Sequence, residues 1–340
     1  MKHEIEKINN NYDVDTILNI WQESFPKLDE KRIKWSYDNN VTAKPFLFCL
    51  KTNDLKKNAI GLLTLFPRNF YLKGKQIPCG ISGDFAIKKK YRSLGPAILL
   101  QKYLLANKTP YDIILGFPNK PAEKIQMRVG FKPIGKINLY IKPIKSSYVL
   151  KKIKKSYLAK PFSPVIDLFL KLRDFKHKHN QEIQIIQDPD KINTKFDKLL
   201  DSGKTNYSLI GERSYKYLHW RYFENPYKKY SLFAIEDKKT KNLLGYIIYM
   251  VHKDIAMIDD FLFNGLSKTF NDLFYNFTSF CQKNGYAAIY LHMFYNTKID
   301  SFLKNNGFIK KITDQNILIN NHDFISSYDN LFITKGDDDY

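Results

Sequence analysis

A carboxylate, a glycine and several cations stand close together in GISGDFAIKKKYRSLGPAILLQKYLL, residues 80–105. An apolar run predicts a strand that ends near Asp84, and helical apolar spacing begins near Gly95. The N–H groups at a helix start have no partner within the helix and lie at the positive end of its dipole, so they bind phosphate oxygens. A glycine allows close approach of a ligand, and Arg92 and the lysines at 88–90 add positive charge. The segment therefore predicts a loop that binds a diphosphate.

Helix and strand patterns alternate on both sides of this loop. The sequence predicts a capped helix at 13–24, strands at 45–52 and within 59–87 with turns at Asn53-Asp54 and Lys73-Gly74, a helix at 95–106, a strand at 112–119, a helix at 121–129 that stops at Gly130, and a strand at 131–143. This order indicates an α/β fold that is built on a mixed sheet.

The same landmarks return in the second half of the chain, 176 or 177 residues later for the last three pairs: KWSYDNN and HWRYFEN, Asp84 and Asp260, Asn119 and Asn296, Gly130 and Gly307. Such a constant separation indicates a long-period duplication. We therefore expect an N-terminal domain at residues 1–145, a basic helical linker at 146–185 and a C-terminal domain at 186–340. The linker sequence fits a helix packed on both domains, or an amphipathic segment in peripheral contact with an anionic membrane.

The pattern Arg-x-x-Gly-x-Ala at residues 92–97, followed by DIILGFPN and a later Gly-Phe pair, resembles the GNAT acyltransferase superfamily. The resemblance implies two tandem α/β domains, each a mixed, mostly antiparallel sheet flanked by helices, and a loop that wraps the pyrophosphate of acetyl-CoA or another acyl-CoA. It implies that the cofactor is bound by Phe85, Ala86, Ile87, Arg92, Ser93, Leu94, Gly95, Pro96, Ala97 and Asn119. The second copy lacks this loop, so we expect only the N-terminal copy to bind acyl-CoA.

Acyl transfer to an amine needs a group that takes a proton and a group that protonates the departing thiolate. The resemblance places a catalytic carboxylate base at Asp84, and the alternative is a carboxylate that caps a turn or pairs with Arg92. The superfamily often has a tyrosine as general acid four residues before the glycine of the Gly-Phe pair, and here that residue is Gln126. A glutamine gives up no useful proton. Tyr91, a water molecule, or departure of CoA as the anion remain as alternatives.

Three further segments, FPNKPAEKIQMRVGFKPIGKINLYIKP, YKYLHWRYFENPYKKY and NLFITKGDDDY, look like tandem-GNAT proteins associated with bacterial surface-polysaccharide biosynthesis. This implies an acceptor amine on an amino sugar or a nucleotide-linked amino sugar. We expect Arg221 and Asp260 to bind the acceptor, although a salt bridge on the helix surface also explains Arg221. Aminoacyl transfer of the Fem type, which needs no CoA loop, and a non-catalytic basic protein at a membrane or nucleic acid are the alternative functions.

The composition limits the cellular location, the partners and the metal cofactors that we expect for this protein. The net charge is +21, from 55 Lys and Arg against 34 Asp and Glu, but the lysines are scattered, so no nucleic-acid partner is expected. The three cysteines form no CxxC pair and the seven histidines no HExxH motif, so no metal site is predicted. The polar N-terminus and the absence of an apolar run of about 20 residues predict a cytoplasmic protein.

Overall fold

The computed structural model describes residues 3–8, 12–53, 58–106, 109–151, 160–174, 182–325, 328 and 330–338. The predicted turn residue Asp54 and much of the predicted linker lie outside these residues. Within them, the α-helices are α1 (Val14–Ser24), α2 (Glu30–Ile33), α3 (Leu94–Ala106), α4 (Lys120–Arg128), α5 (Ser146–Leu150), α6 (Ser163–Asp174), α7 (Thr194–Gly203), α8 (Tyr215–Leu218), α9 (Ser267–Lys283) and α10 (Thr297–Asn305).

The strands are β1 (His3–Ile8), β2 (Phe46–Thr52), β3 (Ala59–Leu72), β4 (Lys75–Ile87), β5 (Ile113–Gly116), β6 (Lys132–Pro143), β7 (Ile183–Ile186), β8 (Leu209–Gly211), β9 (Ser231–Asp237), β10 (Leu243–His252), β11 (Ile255–Phe263), β12 (Ala288–Phe294), β13 (Ile309–Lys311), β14 (Asn316–Ile319) and β15 (Leu331–Phe332). Their main path runs β1-β2-β3-β4-β5-β14-β6-β12-β11-β10-β9-β7. The mixed, mostly antiparallel sheet with flanking helices confirms the predicted fold class.

Local sequence signals set several element boundaries as predicted. Asp13 caps α1 by accepting a hydrogen bond from the Asp15 N–H at 3.2 Å. Gly130 follows α4 with a φ of +112°, a conformation that glycine adopts without steric cost. Lys73 and Gly74 both have positive φ, at +49° and +83°, and form the tight turn between β3 and β4. These boundaries depend on neighbouring residues, which is why the sequence predicts them.

The central part of the sheet joins the first and second halves of the chain. β14 lies between β5 and β6, and β6 pairs with β14 at one end and with β12 along the rest of its length. The strand order is also nearly symmetric, with β2 to β5 on one side and β9 to β12 on the other. That symmetry supports the predicted duplication, whose domain boundaries stay a prediction. Separating the halves would require breaking the hydrogen bonds of β14 and β6.

In the first half, apolar residues cover both faces of the sheet. Ile17 and Trp21 of α1 pack in one cluster with Leu62 of β3, whereas Leu100 of α3 packs with the adjacent residue Leu63 in another. Successive residues of a strand point to opposite faces, so β3 is covered by a helix on each side. This two-sided covering holds β3 and β4 in place beneath α1 and α3.

A tryptophan pair links the two halves away from the sheet hydrogen bonds. Trp35 and Trp220 lie in equivalent π-helical turns, Lys34–Asp38 and His219–Phe223. The Trp35 indole N–H donates to the Trp220 carbonyl at 3.0 Å, and the Trp220 indole N–H donates to the Trp35 carbonyl at 3.1 Å. Their rings are 5.4 Å apart between centroids. Both polar N–H groups are thus satisfied in a buried contact, which explains why these two residues recur in the sequence.

A buried charge network fixes the C-terminal segment. Asp337 is fully buried and pairs with Arg68 of β3 at 2.5 Å and with Arg213 at 2.7 Å. Arg213 also contacts Asp260 at 2.9 Å. Burial disfavours the Asp337 carboxylate, but the charges of Arg213 and Arg68 outweigh this effect and lower its pKa. The network connects residues 68, 213, 260 and 337, so it holds both halves to the end of the chain.

We expect Asp337→Ala to lower the free energy of unfolding by about 3–5 kcal/mol, because it leaves the buried Arg68 guanidinium without a counter-charge and takes one of two from Arg213. Urea unfolding followed by circular dichroism measures this change. Asp201→Ala is the control, since Asp201 pairs with Lys204 at the surface and its loss should have little effect. Equal stability of the two variants would show that the buried network does not stabilise the fold.

Candidate functional site

Strands β4 and β5 form a fork. They pair in parallel from Cys79 with Ile113 to Ser82 with Gly116, and the pairing ends there. Beyond this point a cavity of about 730 Å³ lies between the end of β4, the start of α3 and the helix α4 that follows β5. The fork is therefore the place where the fold makes room for a ligand.

Eight of the ten predicted cofactor-binding residues line this cavity: Phe85, Ala86, Ile87, Arg92, Ser93, Leu94, Ala97 and Asn119. The other two, Gly95 and Pro96, lie in the first turn of α3 without lining it. A Cβ atom at Gly95 would have no atom within 4 Å, so open space lies beside the helix start. The structure thus brings the predicted loop and the end of β4 together around one cavity.

The sequence did not identify the other residues that line this cavity. The end of α1 contributes Glu23, Ser24 and Phe25, and α4 contributes Pro121, Ala122, Lys124, Ile125 and Arg128. The α4 residues recur at helical spacing, so one face of the predicted helix after β5 was a readable signal. The contribution of α1 was not readable, because it depends on how that helix lies across the sheet.

Arg92 holds the loop against α1. Its Nε donates to the Ile87 carbonyl at 2.8 Å, and its Nη2 donates to the Ser24 hydroxyl at 2.9 Å. Glu23 in turn accepts a hydrogen bond from the Lys89 N–H. The predicted alternative of an Asp84–Arg92 pair is wrong, because Arg92 reaches backbone and hydroxyl oxygens instead. Arg92 both shapes the loop and places a cation at the cavity wall.

The charges and donors of the cavity fit a diphosphate. The first N–H groups of α3, which begins at Leu94, have no acceptor within the helix, and no acidic residue lies in its first turn. Arg92, Lys124 and Arg128 add three cations to the wall, whereas Glu23 is the wall's acid among the described residues. Phosphate oxygens are the ligand groups that such donors and charges favour.

Asp84 lies on a β-bulge and is already paired. It has a φ of +48°, and the register between β3 and β4 shifts at this point. Its carboxylate accepts from the Arg32 guanidinium at 2.7 Å and from the Tyr37 hydroxyl at 2.8 Å. Burial raises the pKa of Tyr37, and the Asp84 charge adds to that shift. Asp84 is 5% exposed and is not among the residues that line the cavity.

Gln126 lies beneath the fork rather than in the cavity wall. It is 3% exposed, its Nε2 donates to the Ser82 hydroxyl at 3.3 Å, and its amide lies against Gly116. Ser82 and Gly116 are the last paired residues of β4 and β5, so Gln126 contacts both strands where their pairing ends. Tyr91, the predicted substitute acid, packs at the edge of the α3 core, and no tyrosine is among the described residues that line the cavity.

Asn119 lines two cavities. Its side chain caps α4 by accepting from the Ala122 N–H at 3.1 Å. The second cavity has about 440 Å³ and is lined by Phe117, Pro118, Asn119, Lys120, Asp314, Gln315, Lys335 and Asp338. Two lysines and two aspartates therefore face a space next to the fork, and half of its wall comes from the end of the chain.

The equivalent fork in the second half is filled by protein. Strands β11 and β12 pair in parallel from Ile255 with Ala288 to Ile258 with Leu291. The C-terminal segment enters beyond that point, where the Phe294 N–H donates to the Ile333 carbonyl at 2.8 Å and Met293 pairs with Thr334. Gly336 packs so closely against Tyr222 that a Cβ atom there would collide with its hydroxyl.

The two residues predicted to bind the acceptor have different surroundings. Both Asp260 oxygens are engaged, one by Arg213 and Thr334 and the other by the Tyr246 hydroxyl at 2.9 Å, and the residue is 2% exposed. Burial raises the pKa of Asp260, with Arg213 opposing the change. Arg221 donates to the Asp338 carbonyl at 3.3 Å, and Asp338 lines the second cavity. Arg221 thus reaches that cavity's wall, whereas Asp260 supports the fold.

Two further properties bear on chemistry and location. All three cysteines are buried, and burial raises the pKa of each thiol, to about 11 for Cys49. Among the described residues, no cluster of His, Cys, Asp or Glu could hold a metal ion, and no helix is long and apolar enough to cross a membrane. The cavity at the first fork is therefore the strongest candidate site.

Solved structures share the fold of this chain, whereas the sequence comparisons find no match. No protein-family model and no curated sequence matches the chain. Among solved structures, an Enterococcus faecalis V583 protein described as "Probable N-Acyltransferase" matches 94% of this chain over 72% of its own, with 12% identity and a TM-score of 0.65. A GCN5-related N-acetyltransferase from Anabaena variabilis ATCC 29413 matches 93% of this chain over 72% of its own, with 14% identity and a TM-score of 0.65. Saccharomyces cerevisiae N-myristoyltransferase with bound myristoyl-CoA matches 93% of this chain over 78% of its own, with 11% identity and a TM-score of 0.54. At these identities the similarity shows a GNAT-type fold, which confirms the predicted resemblance at the level of structure.

Proposed function

We propose that this protein is an acyl-CoA-dependent N-acyltransferase. The observation that carries the proposal is the cavity at the β4–β5 fork, where eight predicted cofactor residues, Arg92 among them, meet the two further cations Lys124 and Arg128 at the start of α3. The names of the structural neighbours, which include N-acetyltransferases and an N-myristoyltransferase, agree with this activity. In this proposal the first half holds acyl-CoA, as the sequence predicted, with its diphosphate at the start of α3.

The chain's own residues would bind and orient the reactants. Acyl-CoA supplies a thioester whose acyl group passes to an amine. Arg92, Lys124 and Arg128 hold the anionic part, while Phe85 to Ile87 bring the backbone of β4 to the fork. Backbone N–H groups beyond the bulge stabilise negative charge on the carbonyl oxygen. With Gln126 buried and Tyr91 outside the wall, we propose that the C–S bond breaks as the C–N bond forms, that the amine gives its proton to water, and that the thiolate leaves as an anion or takes a proton from water.

The second half would serve acceptor binding and stability. Its fork is occupied by residues 333 and 334, so an extended pantetheine chain has no equivalent space there. We propose that the acceptor enters the second cavity, which shares Asn119 with the first. Asp314 suits an amine, and Lys120 together with Lys335, which pairs with Asp338, suits a phosphate. A nucleotide-linked amino sugar carries both groups, and this supports the surface-polysaccharide role that the sequence suggested.

We expect acetyl-CoA to bind with micromolar affinity in calorimetry, and the charge reversals Lys124→Glu and Arg128→Glu each to weaken it by about tenfold or more. Both side chains are exposed on α4, so their replacement should not disturb the fold. Lys102→Glu is the matched control, because Lys102 is exposed on α3 and does not line the cavity. Identical isotherms for all three variants, or no binding by the native chain, would refute the site.

The same calorimetric measurement tests which length of acyl chain the cavity prefers. Phe25, Phe85, Leu94 and Ile125 give the cavity wall an apolar part. We propose acetyl-CoA as the donor, and titration of myristoyl-CoA alongside it provides the comparison. Tighter binding of myristoyl-CoA with the same dependence on Lys124 and Arg128 would keep the site and replace the acyl group.

We infer that Asp84 positions the bulge instead of acting as the base that the sequence suggested. Its two carboxylate oxygens are engaged by Arg32 and Tyr37, and Asp84 does not line the cavity. Asp84→Asn should lower the melting temperature and leave the acid limb of the pH profile of kcat/KM unchanged. Tyr37→Phe, which keeps the ion pair, should cost less stability. An acid limb that disappears in a folded Asp84→Asn protein would establish the catalytic role.

The acceptor is tested by thiol release with amino sugars, nucleotide-linked amino sugars, peptides and polyamines. We expect nucleotide-linked amino sugars to give the highest kcat/KM, and Lys335→Met to raise their KM by about tenfold without changing acetyl-CoA affinity. Lys298→Met is the control on α10, outside the second cavity. Preference for a neutral amine, unaffected by Lys335→Met, would contradict this acceptor. Transfer from aminoacyl-tRNA without CoA binding would favour the Fem-type alternative.

A further inference from the structure

Helix α6, Ser163–Asp174, and the preceding turn expose a row of large apolar side chains: Phe162 (61% exposed), Val165 (65%), Leu168 (58%), Phe169 (68%) and Leu172 (58%). Residues three and four positions apart lie on the same side of a helix, so these five side chains form one stripe, which we call the α6 stripe. Contiguous apolar surface of this kind marks an interaction site more often than isolated exposed residues do.

Polar contacts fix the opposite face of α6 to the body of the protein. Asp167 accepts from the Ser146 N–H at 2.6 Å and from its hydroxyl at 2.9 Å. Asp174 pairs with the buried ammonium of Lys142 at 3.0 Å and accepts from the Gln282 side chain at 3.2 Å. Rotating α6 to bury its apolar side chains would break this buried ion pair. The fold therefore holds the α6 stripe outward.

The charge around the α6 stripe indicates what covers it. Residues 145–180 contain ten Lys and Arg against two acidic residues, Asp167 and Asp174. Asp167 faces the protein through the contacts just described, and Asp174 pairs with Arg173 at 3.0 Å as well as with Lys142, so the segment keeps an excess of cations. Lys151 and Lys171 are exposed at the two ends of the described part of this region. An apolar stripe in a segment of such basic sequence complements a bilayer with anionic headgroups.

We propose that α6 docks the protein on an anionic membrane surface, with the α6 stripe at the level of the headgroups and the surrounding lysines on lipid phosphates. An interfacial helix of this kind lies in the plane of the membrane and does not span it. The proposal gives the membrane contact suggested by the sequence a defined surface. It does not depend on acyl transfer, because the residues of the α6 stripe line neither of the two cavities.

The test is co-sedimentation of the full chain with phosphatidylcholine vesicles that contain or lack phosphatidylglycerol. We expect binding only to the anionic vesicles, weakened by added salt. Replacing Leu168 and Phe169 together by Glu should reduce the vesicle-bound fraction by about tenfold or more, because it puts two charges at the centre of the stripe. Leu266→Glu is the matched control, since Leu266 is 61% exposed and far along the chain.

Two checks keep the result interpretable. The replaced side chains are exposed, so melting temperature and acetyl-CoA affinity should stay unchanged in the double variant. Equal sedimentation of the native chain and the double variant, or no binding to anionic vesicles, would overturn the proposal. A native dimer that becomes monomeric in the double variant, measured by light scattering without lipid, would assign the α6 stripe to a second copy of the chain and also overturn it.

Discussion

The role of each half depends on what occupies the space where its two parallel strands stop pairing. At each fork, backbone N–H and C=O groups lose their ladder partners and need others. In the second half, the C-terminal segment supplies them, and the Arg68, Arg213 and Asp337 charges hold that segment in place. In the first half, the fork ends in a cavity that is bordered by cations. One arrangement of strands thus gives a structural core in one half and an open cavity in the other.

The sheet that joins the two halves keeps this difference between the forks in place. β14 completes the first half while belonging to the end of the sequence, and the Trp35–Trp220 pair connects the helical layers. Lys335 and Asp338 follow directly after residues 333 and 334, which fill the second fork. They therefore line the second cavity together with Asn119. The segment that closes one fork therefore continues into the wall of the proposed acceptor site next to the other.

Short-range features were predictable from the sequence, and long-range contacts were not. The cap at Asp13, the stop at Gly130 and the loop around Arg92 depend on residues a few positions apart. The partner of Asp84 is 52 residues away, and the Arg68–Asp337 contact spans 269 residues. No spacing rule identifies such partners, since they follow from how distant segments pack in the folded chain. For the same reason the wall residues on α4 were accessible to sequence reasoning, but those on α1 were not.

The replacement of the usual tyrosine by Gln126 agrees with the distribution of charge around the first fork. Neutral groups, Ser82 and Gln126, lie where the strands separate, and the cations Arg92, Lys124 and Arg128 lie along the cavity wall. Asp84 then serves the same arrangement by holding the bulge that turns the β4 backbone toward the cavity.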